Sequence, residues 1–64
     1  NLIDDALPVL EKAVKVAPDN ADAYYLLARC QMLKGSKDAA KVNLSNAAKY
    51  GHPDAAATLK ELEK

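Results

Sequence analysis

Residues 21–53, ADAYYLLARCQMLKGSKDAAKVNLSNAAKYGHP, decide the fold of this 64-residue chain. The stretch contains two apolar segments separated by Gly35-Ser36, and it is bounded by Ala17-Pro18-Asp19-Asn20 and by Gly51-His52-Pro53. Pro cannot donate a backbone hydrogen bond inside a helix, and Gly tolerates the left-handed conformation that ends one. These breaks therefore divide the whole chain into four segments.

The spacing of apolar residues within the segments predicts four helices. Their approximate ranges are 5–16, 21–34, 37–49 and 53–63. In the first, apolar residues recur at the i, i+3, i+4, i+7 spacing of one helical face. Pro8 fits this helix if Asp4 or Asp5 is the N-cap, because amides of the first turn have no intrahelical partner. The apolar residues of the second helix cover more than one face, which predicts neighbours on two sides.

The residues at the breaks predict how the helices begin and end. Asn20 and Ser36 are suited to cap the second and third helices, and Gly35 and Gly51 are suited to end them. Pro53 takes the favoured first position of the fourth helix. The third helix has a narrow stripe of mostly small residues, namely Ala39, Ala40, Leu44, Ala47 and Ala48. In the fourth helix, the residues expected to face inward are Ala56, Leu59 and Leu62. No segment has a strand pattern, so the predicted fold class is all-α.

Composition excludes several classes of function. Nine basic residues balance nine acidic ones, which gives no electrostatic footprint for nucleic acid or an anionic membrane. No apolar run approaches the roughly 20 residues of a membrane span. A soluble chain is expected, and cytoplasmic and periplasmic locations both stay open. The chain starts at Asn1 without a signal-peptide pattern, as expected of a mature product or an excised segment.

The sequence also repeats itself internally. A shift of 34 positions aligns Ala6 with Ala40, Leu10 with Leu44, and Ala13 with Ala47. A shift of 35 positions aligns Pro18 with Pro53, Ala21 with Ala56, Tyr24 with Leu59, and Leu27 with Leu62. This period is typical of a two-helix repeat, in which neighbouring hairpins stack to complete a continuous core.

The stretch from Ala21 to Pro53 resembles one tetratricopeptide repeat. The family pattern has an aromatic, a Leu and a small residue in its first helix, then a Gly in the turn. A small residue, a bulky one and an Ala follow in the second helix, and a Pro ends the unit. The matching residues are Tyr24, Leu27, Ala28, Gly35, Ala40, Leu44, Ala47 and Pro53. Gln31 departs from the pattern, since it stands where the family usually has an aromatic. Residues 47–55 resemble the Ala-Ala-x-x-Gly-x-x-x-Ala junction of the SEL-like variant.

The resemblance implies a single domain over residues 1–64. Residues 1–20 correspond to the second helix of a partial repeat, and residues 21–52 correspond to the complete repeat. Residues 53–64 correspond to the first helix of the next repeat or to a capping helix. The implied architecture consists of antiparallel helical hairpins, about four helices in all, stacked as a fragment of a right-handed α-solenoid.

The resemblance also implies a function, namely a non-enzymatic protein–protein interaction scaffold. Such arrays bind a peptide or a partner helix on a concave face lined by the first helix of each hairpin. The corresponding partner-binding positions here are Asp22, Tyr25, Arg29 and Met32. Tyr and Arg are enriched at binding hot spots. In the alternative interpretation Tyr25 covers a neighbouring helix and Arg29 is only solvated. Members that grip a C-terminal carboxylate have Lys and Asn in place of Tyr25 and Arg29, so that ligand is not indicated.

The sequence offers little for catalysis. His52 lies in a turn without a second His, a Cys or a carboxylate pair at metal-ligand spacing, so we interpret it as a loop or capping residue. Cys30 lies among apolar residues and is interpreted as a buried structural thiol. There is no Gly-rich phosphate loop and no Ser/His/Asp set. We therefore expect no enzyme, no cofactor and no metal.

The first helix suggests an alternative function. Its outward face would leave Leu2, Ile3, Val9 or Val16 partly exposed. Hairpin arrays with uncovered terminal helices tend to stack on themselves or to exchange helices between chains. The alternative is therefore a homo-oligomerisation module that assembles through its terminal helices.

Overall fold

The computed structural model describes residues 2–63 and contains four α-helices in that range. They are α1 (Leu2–Val16), α2 (Ala21–Leu33), α3 (Lys37–Lys49) and α4 (Ala55–Glu63). Each helix packs against the next one along the chain, and the α2–α3 pair forms the most extensive interface. No strand occurs between residues 2 and 63. The predicted all-α fold of helical hairpins is confirmed.

Both glycines end helices in the same way. Gly35 and Gly51 have φ angles of +85° and +97°, a conformation that disfavours other residues. The amide after each glycine donates to a carbonyl five residues earlier: Ser36 N to Gln31 O at 2.8 Å, and His52 N to Ala47 O at 2.9 Å. This is the Schellman arrangement, which gives partners to carbonyls at the helix end. The predicted ends of α2 and α3 therefore have a local cause.

The two predicted N-caps differ from one another. The side chain of Asn20 accepts a hydrogen bond from the amide of Ala23 at 3.2 Å, as a capping residue does. Ser36 occupies the N-cap position of α3, but its side chain makes no capping hydrogen bond. Both predicted N-cap positions are therefore confirmed, and only Asn20 makes a side-chain capping hydrogen bond.

The start of α1 also differs from the prediction. The helix begins at Leu2, so neither Asp4 nor Asp5 is its N-cap, and Pro8 lies in the helix interior. Proline at that position removes the amide that would donate to the carbonyl of Asp4, and its ring crowds that carbonyl. The side chain of Asp4 does not cap α1 and forms an ion pair with Lys34, at the end of α2. This long-range ion pair is absent from any local sequence pattern.

The fourth helix begins two residues later than predicted. Pro53 and Asp54 lie in a turn, and Asp54 O accepts the hydrogen bond from Thr58 N at 3.1 Å. Asp54 therefore takes the N-cap position, and the helix starts at Ala55. Ala55 is buried and Ala56 is exposed, so the predicted inward orientation of Ala56 is wrong. Ala39, the first residue of the predicted α3 stripe, is also exposed.

Small side chains dominate the core. The fully buried cluster consists of Ala28, Ala40, Leu44, Ala47 and Ala55, and Tyr24, Leu59 and Leu62 are among the residues that pack against it. Alanine has a small side chain, so the helix backbones can approach one another closely. Leu44 is the only large side chain among the fully buried residues of the described chain. A polar contact adds to the α2–α3 interface: Asn43 Nδ2 donates to Gln31 Oε1 at 2.7 Å. Gln31, which stands where the family usually has an aromatic residue, therefore forms a hydrogen bond between the two helices of the hairpin.

Candidate functional site

Three of the four predicted binding residues form a stripe along α2. Asp22, Tyr25 and Arg29 follow the i, i+3, i+7 spacing that places side chains on one helical face. The side chain of Asp22 is 85% exposed, Arg29 is exposed and Tyr25 is half-buried. We call these three residues the α2 stripe. Met32, the fourth predicted residue, is half-buried, and both Met32 and Tyr25 pack against the core cluster.

Tyr25 is held by two contacts with the end of the chain. Its ring stacks on the ring of His52, with centroids 4.0 Å apart and planes inclined by 9°. Its hydroxyl lies 3.3 Å from Oγ1 of Thr58 in α4, within hydrogen-bond distance. These contacts agree with the alternative in which Tyr25 covers a neighbouring helix. The Tyr25 side chain remains partly accessible beside these contacts.

His52 joins the α3–α4 turn to the α2 stripe. Its Nδ1 accepts a hydrogen bond from the amide of Asp54 at 3.1 Å, as predicted for a residue in a capping role. Its Nε2 lies 3.6 Å from Oδ1 of Asp22, and its side chain is only 11% exposed. The contact with Tyr25 was not predicted from the sequence. The two residues lie far apart along the chain, and only the packing of the turn against α2 brings them together.

A second surface lies between α1 and α2. We call it the α1–α2 groove, and it has a volume of about 490 Å³. Its lining is mostly apolar: Leu2, Asp5, Ala6, Val9, Leu10, Leu26 and Cys30. Leu2 is 87% exposed and Val9 is 67% exposed, as predicted for the outward face of α1. Cys30 is half-buried at this groove, so its thiol is less enclosed than predicted.

Metal-ligand clusters and membrane-spanning helices are both absent from residues 2–63. Between residues 2 and 63, no group of three or more His, Cys, Asp or Glu side chains is placed to hold a metal ion. Across the same residues, every helix is too short or too polar to cross a bilayer. The α2 stripe itself presents a carboxylate, an aromatic ring and a guanidinium in a row along one helical face.

Comparison with known protein families identifies the family of this chain. The family described as Tetratricopeptide repeat matches residues 2–62. Comparison with curated proteins and with solved structures gives no significant match. Tetratricopeptide repeats are typically non-catalytic modules that interact with other proteins. Since the match covers almost all of the sequence, the chain belongs to the tetratricopeptide repeat family.

Proposed function

We propose that this chain is a non-enzymatic scaffold that binds a peptide or a partner helix over the α2 stripe. The observation that supports this most directly is the state of Tyr25, which is half-buried and held by His52 and Thr58 between two exposed, oppositely charged side chains. An aromatic ring fixed in advance loses little conformational freedom when a partner covers it. The neighbouring charges give such a surface orientation and selectivity.

Arg29 is the residue best suited to test this function. It is exposed and forms no ion pair within residues 2–63, so its replacement leaves the fold intact. Tyr25 is less suitable because its replacement also removes contacts with His52 and Thr58. Lys15, exposed on α1, provides a control with the same change of charge.

The experiment is a quantitative pull-down with mass spectrometry from lysate of the source cell. The baits are wild type, Arg29→Glu and Lys15→Glu, each checked for helicity by circular dichroism. A protein retained by wild type and Lys15→Glu, but lost by Arg29→Glu, is the result we expect. If all three baits retain the same proteins, binding over the α2 stripe is contradicted.

The α1–α2 groove supports a second candidate function, in which a second copy of the chain covers α1. The internal repeat provides the comparison. Leu44 on α3 is fully buried where α2 packs over it, whereas its equivalent on α1, Leu10, is only half-buried and lines the groove. A helix from a second copy would cover Leu10 and Val9 as α2 covers α3, which gives a homo-oligomer. The mass of the chain in solution tests this candidate.

A further inference from the structure

One face of α1 carries an alternating row of apolar and charged side chains. The row consists of Leu2, Asp5, Val9 and Lys12, which follow the i, i+3, i+7, i+10 spacing of a single helical face and are all exposed. Its first three members also line the α1–α2 groove. The row therefore has Val9 between a negative charge nearer the start of the helix and a positive charge nearer its end.

The internal repeat shows how such a face is covered elsewhere in the chain. The 34-residue shift places Val9 at the position of Asn43 on α3. The side chain of Asn43 donates a hydrogen bond to Gln31 on α2, so this position contacts the helix that covers α3. The two helices of that hairpin are antiparallel. By the same repeat, a helix that covers the row on α1 contacts Val9 and runs antiparallel to α1.

A second copy of α1 meets both conditions. A two-fold axis perpendicular to α1 places two copies of this helix antiparallel and brings the same patch of each copy together. With the axis at Val9, this residue meets the partner's Val9, and residues equally far before and after it face one another. Asp5 then faces the partner's Ala13, next to the partner's Lys12, which is within reach because adjacent residues are about 1.5 Å apart along a helix axis. The two-fold axis repeats this pairing of opposite charges on its other side.

We infer that the occupant of the α1–α2 groove is α1 of a second copy, antiparallel to the first across a two-fold axis at Val9. The contact covers Val9 and forms an ion pair between Asp5 and the partner's Lys12 on each side of the axis. The inference rests on the homo-oligomer candidate and specifies its geometry: the contact is isologous, so association stops at a dimer. Val16 lies at the end of the contact beside the partner's acidic first turn, so a lysine introduced there meets opposite charge.

Opposite charges introduced at Val9 test this geometry, because only a residue on the axis meets itself. The variants are Val9→Lys and Val9→Glu, at a position that is 67% exposed and therefore tolerates a charge in the folded monomer. The control pair is Leu26→Lys and Leu26→Glu, which places the same charges in the groove but on α2, away from the axis. Circular dichroism checks the helicity of each variant. Sedimentation velocity over a range of concentrations gives the mass of each variant alone and of each equimolar mixture.

We expect wild type to reach the mass of two chains and no more. Val9→Lys and Val9→Glu should each dimerise at least about tenfold more weakly than wild type, since like charges meet at the axis. Their equimolar mixture should recover the dimer, because a lysine then meets a glutamate. The Leu26 variants should be monomeric alone and also in their mixture, since Leu26 does not meet itself.

The inference is overturned if wild type associates but the Val9 mixture stays monomeric, or if the Leu26 mixture also recovers the dimer. Growth of wild type beyond two chains with rising concentration likewise overturns it, because a two-fold contact is closed. These results keep the homo-oligomer candidate with a different geometry. A wild type that stays monomeric at every concentration contradicts that candidate itself.

Discussion

The imidazole ring of His52 lies face to face with the phenol ring of Tyr25, with centroids 4.0 Å apart and planes 9° from parallel. Tyr25 belongs to α2, whereas His52 belongs to the turn between α3 and α4. The stack therefore ties the beginning of the last helix to the middle of the chain. It also fixes the orientation of the aromatic residue at the centre of the α2 stripe.

Replacing His52 tests how much this stack stabilises the protein. We expect His52→Ala to lower the free energy of unfolding by about 1–2 kcal/mol, because it removes an aromatic pair and the hydrogen bond from the Asp54 amide. His52→Phe keeps the ring and should recover part of the loss. Urea denaturation followed by circular dichroism measures both variants. Equal midpoints for Ala, Phe and wild type would show that the stack contributes no stability.

Leu44 should be the most sensitive position in the core. It is the largest fully buried side chain, so Leu44→Ala should cost about 2–5 kcal/mol through lost burial and the cavity left behind. In a domain this small, that loss is comparable with the whole stability. Val42→Ala, at an exposed position of the same helix, is the matched control and should cost under about 0.5 kcal/mol. Similar unfolding midpoints for the two variants would contradict the assigned core.

The two N-cap residues should respond differently to alanine. Asn20→Ala removes a capping bond to the amide of Ala23 and should cost about 1 kcal/mol. Ser36→Ala removes a side chain without a capping bond, so we expect a loss of only about a few tenths of a kcal/mol. Thermal or urea unfolding of the two variants, measured side by side, makes the comparison. A larger loss at Ser36 than at Asn20 would reverse the assignment of caps.

The homo-oligomer candidate predicts a position-specific effect on α1. Val9 lines the α1–α2 groove, so Val9→Lys should place a charge in the interface and yield a monomer. Val16 is also exposed on α1 but does not line the groove, so Val16→Lys is the control and should keep the wild-type mass. Light scattering coupled to size-exclusion chromatography reports the mass. A monomeric wild type, or an unchanged mass for Val9→Lys, excludes self-association through this groove.

Local patterns were sufficient for most of the fold. The start of α2 at Ala21 and the ends of α2 and α3 follow from Asn20, Gly35 and Gly51, whose hydrogen bonds involve only nearby residues. The predicted starts of α1 and α4 were wrong, since α1 begins at Leu2 and α4 begins at Ala55. At α4 the hydrogen bonds are local, from the Asp54 amide to His52 Nδ1 and from the Thr58 amide to the Asp54 carbonyl. At α1 the ion pair between Asp4 and Lys34 is long-range, because Lys34 lies at the far end of α2.

Part of the candidate site could also be predicted from the sequence, and part could not. Helical periodicity alone places Asp22, Tyr25 and Arg29 on one face, since side chains three and seven residues apart align on any α-helix. Periodicity could not reveal that Tyr25 and Met32 both pack against the core or that His52 stacks on Tyr25.

By itself, then, the sequence determined the number of helices, most of their boundaries, the repeat and the family, because these depend on local hydrogen bonding and on the spacing of apolar residues. Only the tertiary structure decided which side chains remain open to a partner. That outcome depends on how the turn before α4 packs against α2, which brings His52 and Thr58 to Tyr25. Contacts between residues distant in the chain form only when all the helices are in place, so no local pattern contains them.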